Sequence, residues 1–316
     1  MKVHIIISIL NGAEYIEESI ESILNQTYKN WKLHLIDNGS TDNTYKILNK
    51  YANLNNNKIA VARFEKNLIP STRWSQQIAN SKSDCIAISC HDDIWKPDKL
   101  EKQIAIMKAR NSDIIHSNVD FIDHLGRLIN GGSKKANDYR NVLDYDNLNF
   151  IDLSSKLCEK NSINLSSVLI KTNVVREFGA WEPERWGGED WGLWVKLAAN
   201  KCKFSHLREN LVSKRVNIGN TSTTSRYERS FGFLKSFELV KSLYPFIQTD
   251  SLLKKENEIY ERIICETLKK GEYNLANKFS KYFLQKKNKS VRDFLIIIVS
   301  RSKLFGRILL KLNERF

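Results

Sequence analysis

The run Cys85-Ile86-Ala87-Ile88-Ser89-Cys90-His91-Asp92-Asp93-Ile94-Trp95-Lys96-Pro97 decides the fold. Residues 85–90 are nearly all apolar or small, the pattern of a short strand buried on both faces. The strand stops at three polar residues, two of them adjacent carboxylates. Pro97 then opens a helix that runs to Arg110, because the first turn of a helix does not need the N–H that proline lacks. Strand, acidic loop and helix in that order form part of a β-α-β repeat.

The neighbouring sequence continues the repeat. Upstream, Lys2–Leu10 is a β-rich run, and Glu14–Gln26 spaces Ile16, Ile20, Ile23 and Leu24 as a helix does. Trp31–Ile36 reads as a strand stopped by Asp37-Asn38-Gly39-Ser40, Asp42–Tyr51 as a helix, Lys58–Phe64 as a strand and Ser71–Ser81 as a helix. Downstream, Asp113–Val119 is a fifth strand. Such repeats imply an α/β fold with a mainly parallel sheet and right-handed crossovers. Ligands of these sheets sit at the carboxyl ends of the strands. The polar clusters Ser8–Asn11, Asp37–Asp42 and His91–Asp93 each follow a strand, which points to one site on one edge.

Past residue 120 the pattern is less regular. Phe121–Ile129 reads as a hairpin around His124-Leu125-Gly126-Arg127, and residues 133–160 as polar and loop-rich. Leu165–Ile170 and Leu211–Val216 read as strands and Trp191–Ala199 as a helix. From about Tyr227 the signal is helical and basic.

Composition excludes several classes. With 41% hydrophobic residues in 316, the chain can bury a core and is not disordered; 13 Gly and 4 Pro exclude collagen-like sequence. Five cysteines, none at C-x-x-C spacing, make neither a disulfide framework nor a paired-thiol zinc site, and fit a reducing cytosol. The formal charge is +14, and from Gln285 onward nine basic residues face two acidic ones. There Val291, Phe294, Ile298, Phe305, Ile308, Leu309 and Leu312 share one helical face. A basic amphipathic helix of this kind reads as an element for an anionic membrane surface, or as a helix docked on its own domain. The apolar run Phe294–Val299 is far short of the ~20 residues that span a bilayer. The expected location is therefore the cytoplasm, with peripheral attachment to the cytosolic membrane face through 285–316. No nucleic-acid recognition motif is found, and no nucleic-acid partner is expected.

Taken in order, Asn11, Asp37-Asn38-Gly39-Ser40-Thr41-Asp42, Asn67 with Arg73, His91-Asp92-Asp93 and Glu189-Asp190 resemble the family 2 glycosyltransferases. Ile6–Asn11 followed by Tyr15-Ile16-Glu17-Glu18-Ser19-Ile20 and Leu24-Asn25-Gln26-Thr27-Tyr28 looks like the opening segment of that family. The resemblance implies a GT-A fold over residues 1–226, with 1–119 binding the nucleotide sugar and 120–226 the acceptor. A basic helical region, 227–316, would follow. It also implies sugar transfer from a nucleoside diphosphate sugar, UDP- or dTDP-linked, to a hydroxyl of a glycan or lipid-linked acceptor. Transfer would invert the anomeric centre by metal-assisted direct displacement, in bacterial surface-glycan assembly.

The resemblance assigns roles that the chemistry of the residues supports. Asp37 can accept a base N–H, as uracil or thymine offers. Asp92 and Asp93 supply hard oxygens for Mg²⁺ or Mn²⁺ on the diphosphate. Asp190 takes the acceptor proton as general base, and Glu189 orients the acceptor. Asn11, Asn67, Arg73 and Arg215 line the nucleotide sugar, Arg215 toward phosphate, and Trp186 stacks on a sugar. Trp191 and Trp194 read equally as core. The chain departs from the family at Asn38, Cys90 and Asn217, where Asp, Asp and His are frequent. Those departures leave a second reading open, a sugar-nucleotide-binding protein of low catalytic power.

Overall fold

The computed structural model describes residues 1–129, 148–179, 188–216, 226–247 and 249–284. The chain divides into two compact units, Met1–Glu184 with Asp190–Asn220, and Arg185–Glu189 with Thr221–Phe316.

The first unit is a mixed, mostly parallel sheet flanked by helices. Its strands are β1 (Val3–Ile9), β2 (Trp31–Asp37), β3 (Ile59–Arg63), β4 (Cys85–Ile88), β5 (Ile94–Trp95), β6 (Ile114–Ile122), β7 (Leu169–Lys171) and β8 (Phe204–Arg215). They lie in the order β3-β2-β1-β4-β7-β6-β8-β5. β1 pairs in parallel with β2 and β4, β2 with β3, and β6 with β8. β7 is antiparallel to both β4 and β6, and β5 is antiparallel to β8. All strands except β5 and β7 therefore run one way, and their carboxyl ends share an edge.

Helices α1 (Ile16–Leu24), α2 (Thr44–Leu54), α3 (Pro70–Ala79) and α4 (Lys99–Arg110) fall between the strands as the apolar spacing predicts. α1 buries Ile16, Ser19, Ile20 and Ile23 on one face. Central β1 is covered on both sides, so Ile5, Ile6 and Ile7 are all fully buried.

Three expectations for the later chain are corrected. Within the stretch expected to be loop-rich, Phe150–Glu159 forms a helix, α5. Its start is fixed by Asn149, whose side chain accepts from the N–H groups of Ile151 and Asp152 at 2.9 and 3.0 Å. The strand expected over Leu165–Ile170 is largely a 3-10 turn, Leu165–Ser167, held by Ser166 N–H on the Asn164 side chain at 2.9 Å; only β7 follows it. The strand expected at Leu211 begins instead at Phe204. The register of β6 and β8 is irregular around Ser117–Val119, and polar Arg208-Glu209-Asn210 at that break mask the strand in sequence. α6 (Thr172–Phe178) and, from Asp190 onward, α7 (Glu189–Ala199) complete the unit. Trp191 and Trp194 on α7 are 0% and 1% exposed, so both belong to the core.

The second unit is helical: α8 (Arg226–Leu243), α9 (Thr249–Lys269) and α10 (Tyr273–Leu284), with α9 packed on the other two. Phe237, Ile259, Ile263, Ile264, Ala276 and Phe283 form its interior. Phe279 lies between the rings of Phe231 and Tyr260. Gly188 also belongs here: its φ is +78°, and a Cβ there would lie 2.6 Å from the Phe233 ring. No described helix is long and apolar enough to cross a membrane. The amphipathic stretch 285–316 lies outside the described residues.

Candidate functional site

The carboxyl ends of β1, β2 and β4 are neighbours, and the three polar clusters meet there. Asp37 closes β2 and is fully buried. Its Oδ1 accepts from Ser40 N–H at 2.9 Å. Its Oδ2 is buried with no hydrogen-bond partner; Arg63 Nε lies 3.3 Å away but out of hydrogen-bond alignment. The ion pair offsets part of the desolvation of this oxygen, which still lacks a hydrogen-bond donor. The Arg63 guanidinium lies over the Tyr45 ring at 4.3 Å.

Asn38 ties this strand end to the segment before α3. Its Nδ2 donates to Asn67 Oδ1 at 2.9 Å and to the Leu68 carbonyl at 2.6 Å. Its Oδ1 accepts from Leu68 N–H at 3.2 Å and Arg73 Nε at 3.0 Å. Arg73 is buried, donates also to the Lys66 carbonyl at 2.9 Å, and stacks on Phe64 at 3.5 Å. Asn67 and Arg73 thus meet Asn38 in one network.

The loop after β1 is pinned to the loop after β2. Asn11, at φ 50°, accepts through Oδ1 from Thr41 N–H at 2.8 Å, and its own N–H donates to Ser40 Oγ at 2.9 Å. Gly12 N–H donates to Thr44 Oγ1 at 2.8 Å. A Cβ on Gly12 would fall 2.6 Å from the His91 ring, so the first loop lies directly against the third.

In that third loop the two carboxylates differ. Asp93 is 1% exposed; Ser166 Oγ donates to its Oδ2 at 2.5 Å and Arg215 N–H to its Oδ1 at 3.2 Å. Asp92 is half-buried. Burial and the charge of Asp92 push Asp93 up to about 6, and burial raises Asp92 as well. Cys90 donates its N–H to Ser166 Oγ at 3.0 Å, and burial keeps its thiol protonated far above the usual range.

Arg215 ends β8, 1% exposed, and its guanidinium is committed to protein acceptors. Nε donates to the Asp92 carbonyl at 3.2 Å, Nη1 to the carbonyls of Asp123 and His124 at 3.1 and 3.0 Å, and Nη2 to Glu18. The group also lies over the Tyr15 ring at 4.5 Å. Asp190, in the first turn of α7, accepts from Trp191 N–H at 2.7 Å and from Asn161 Nδ2 at 3.1 Å. Glu189 begins the same helix. Trp186 and Asn217 lie outside the described residues.

No cluster of three or more His, Cys, Asp or Glu able to hold a metal occurs among the described residues. The donor set still suits a hard cation shared with a ligand. Half-buried Asp92 and buried Asp93 are adjacent acids held above the usual carboxylate range, whose ionisation a cation would favour, and Mg²⁺ ordinarily keeps phosphate and water in its shell. The protonated Cys90 thiol adds nothing for such an ion. Ser166, Arg63 and Asn161 escaped the sequence reading, as did the pairing of Glu18 with Arg215. Each acts through a partner distant in sequence, and none has a local spacing that could have revealed it.

The sequence model of glycosyl transferase family 2 matches residues 4–163. An uncharacterized glycosyltransferase of Rickettsia typhi is 28% identical over 286 residues, covering 85% of each chain. The putative glycosyltransferase EpsE of Bacillus subtilis is 35% identical over 126 residues, which is 40% of this chain and 45% of that one. Among solved structures, S. aureus TarS 1-349 in complex with UDP-GlcNAc matches with a TM-score of 0.62 at 17% identity, over 95% of this chain and 79% of that one.

Proposed function

The chain belongs to glycosyl transferase family 2 and is a glycosyltransferase, and from that premise we propose how its own residues carry the transfer. The donor is a nucleoside diphosphate sugar, UDP- or dTDP-linked, and the acceptor a hydroxyl of a glycan or lipid-linked glycan. The observation that carries this reading is the buried Oδ2 of Asp37 at the sheet edge, ion-paired with Arg63 but without a hydrogen bond, an acceptor for the imide N–H of uracil or thymine. The UDP-GlcNAc held by TarS supports the donor class.

Asp92, with Asp93 behind it, would hold Mg²⁺ or Mn²⁺ against the diphosphate; when bound, the ion offsets the negative charge of the leaving group. Asp93, its oxygens taken by Ser166 and the Arg215 amide, keeps the loop in shape. Arg215 fixes the Asp92 carbonyl and the turn at 123–124, and Arg73 fixes Asn38, so both support the donor pocket through other residues. Asn11 and Asn67 form its polar wall. Asp190 removes the acceptor proton as the hydroxyl attacks the anomeric carbon from the face opposite the diphosphate, which inverts that centre. Glu189 orients the acceptor and Trp186 stacks on it. Residues 1–226 form the catalytic domain and 227–316 the helical region. The basic stretch 285–316 holds the enzyme to the cytosolic face of an anionic membrane, where lipid-linked acceptors are found.

The test is Asp190→Asn, assayed for UDP release across UDP-GlcNAc, UDP-glucose and UDP-galactose with Mn²⁺, beside calorimetry with UDP. Turnover should fall about 10²- to 10⁴-fold with UDP affinity kept. Activity within a fewfold of wild type removes Asp190 as base. Tight UDP binding by wild-type protein, without turnover on any donor and acceptor, would favour the low-activity binding protein.

A further inference from the structure

We infer that Asn161 is a positioning residue for Asp190, fixing the orientation of the carboxylate that receives the acceptor proton, a role that rests on Asp190 being the base.

An aspartate in the first turn of a helix has a competing use. Its side chain can fold back and accept from nearby backbone N–H groups. Asp190 does this through Oδ1, which accepts from Trp191 N–H at 2.7 Å. That bond alone fixes one oxygen and leaves the other some freedom to swing. Asn161 removes the freedom by donating from Nδ2 to Oδ2 at 3.1 Å. The amide orientation is set in turn, because Asn161 Oδ1 accepts from Ile163 N–H at 3.4 Å, which turns the NH₂ group toward Asp190.

The support beneath this pair is rigid. Trp191 is fully buried, and its indole N–H donates to the carbonyls of Leu157 and Cys158 at 2.8 and 3.3 Å. Those carbonyls belong to the last turn of α5. The end of α5 and the residues just after it therefore grip residues 190 and 191 together, one through its carboxylate and the other through its ring.

The choice of an amide suits the task. A lysine or arginine at 161 would hold Asp190 equally firmly, but its charge would make the carboxylate a weaker base. An amide orients the group, carries no charge and does not take the proton itself. One donor on each oxygen leaves each a further lone pair for the acceptor hydroxyl.

The experiment uses the full chain with Mn²⁺ and the donor that wild-type protein turns over fastest among UDP-GlcNAc, UDP-glucose, UDP-galactose and dTDP-rhamnose. Asn161→Ala and Asn161→Asp are measured alone and with Asp190→Asn, for kcat, KM and nucleoside diphosphate affinity. Asn161→Ala should lower kcat roughly tenfold to a hundredfold, the cost of a misoriented catalytic group. KM and nucleotide affinity should stay within about twofold, since the pair acts on proton transfer rather than on donor binding. Asn161→Asp should lose more, because it sets two carboxylates against each other. In the Asp190→Asn background, Asn161→Ala should change kcat no further. Additive losses in the two backgrounds, or an unchanged kcat in Asn161→Ala, overturn the positioning role. If Asn161→Ala folds poorly, Asn161→Ser leaves a smaller void and carries the same expectations. If Asp190→Asn stays active, the assignment of the base itself fails. If only Asn161→Ala stays active, the base stands and the positioning role alone is lost.

Discussion

Arg215 Nε donates to the backbone carbonyl of Asp92 at 3.2 Å, joining the last residue of β8 to the acidic loop after β4. The same guanidinium reaches Asp123, His124 and Glu18, so one buried side chain fastens three segments of the sheet edge. Arg215→Met should therefore destabilise the fold by roughly 2–4 kcal/mol, mainly through carbonyls left without donors. Glu18 is 56% exposed and adds little to that figure. A lowered urea midpoint measures the loss, and UDP affinity in Mn²⁺ should fall with it because the Asp92 backbone is released. Unchanged stability would mean water replaces the guanidinium at every acceptor.

Asn38→Asp restores the residue most frequent in the family, yet it should not improve the enzyme. The Asn38 NH₂ group serves two acceptors, Asn67 Oδ1 and the Leu68 carbonyl, and a carboxylate cannot donate to either. The new charge would pair with Arg73, which offsets part of the loss. A destabilisation of about 1–3 kcal/mol is expected, read by thermal or urea unfolding. A more stable or more active Asn38→Asp protein would show that the network tolerates the exchange.

Gly12→Ala should disturb the acidic loop from the opposite side. The added methyl would meet the His91 ring at 2.6 Å and the Ile9 side chain at 2.7 Å, so His91 must move. Overpacking of this order costs about 1–3 kcal/mol. Calorimetry should show weaker UDP binding in Mn²⁺, because His91 adjoins Asp92.

Lys99 makes stability depend on pH. It is fully buried, donates to Gln103 Oε1 at 2.9 Å and lies 3.8 Å from the centre of the Trp95 ring. Burial lowers it from 10.5 to about 7. Below about pH 7 both folded and unfolded chains hold the proton; from there to about 10.5 only the unfolded chain does. The contribution of Lys99 to stability therefore rises with pH across that window, by up to ~1.4 kcal/mol per pH unit. Lys99→Met should flatten the slope of unfolding free energy between pH 7 and 9. A slope equal to wild type would assign it to other groups.

A chain ending at Leu284 should lose sedimentation with phosphatidylglycerol vesicles at low salt while keeping UDP binding. Salt should weaken attachment of the full chain without abolishing it, since the apolar face is not screened. Full-length protein that ignores such vesicles removes the membrane proposal.

The first half of the fold was legible because its signals are local. Each strand of the β-α repeats is a short apolar run, and each helix a 3.6-residue stripe such as Ile16, Ile20 and Ile23. The acidic loops were legible because they end those strands. Contacts between distant segments were not. The approach of Arg215 to Glu18 spans most of the catalytic chain, and no spacing announces it. Asn38 read as a lost carboxylate, whereas its two amide donors are what the loop before α3 uses. Helix α5 was hidden by polar composition, although Asn149 followed by Phe150, Ile151, Leu153 and Leu157 carries a cap and an apolar face.

The register break between β6 and β8 acts as a gauge for the whole site. Ser117 pairs with Leu207 but Val119 with Val212, so β8 advances five residues while β6 advances two. Side chains alternate along a strand, so this odd surplus turns over the faces of everything beyond it, Arg215 included. Losing a single residue from the stretch 208–211 would leave both strands long enough to pair, yet would point residue 215 away from the Asp92 loop. Natural variation in chain length should therefore be absorbed elsewhere on the surface. Lineages that do alter this stretch should change it two residues at a time.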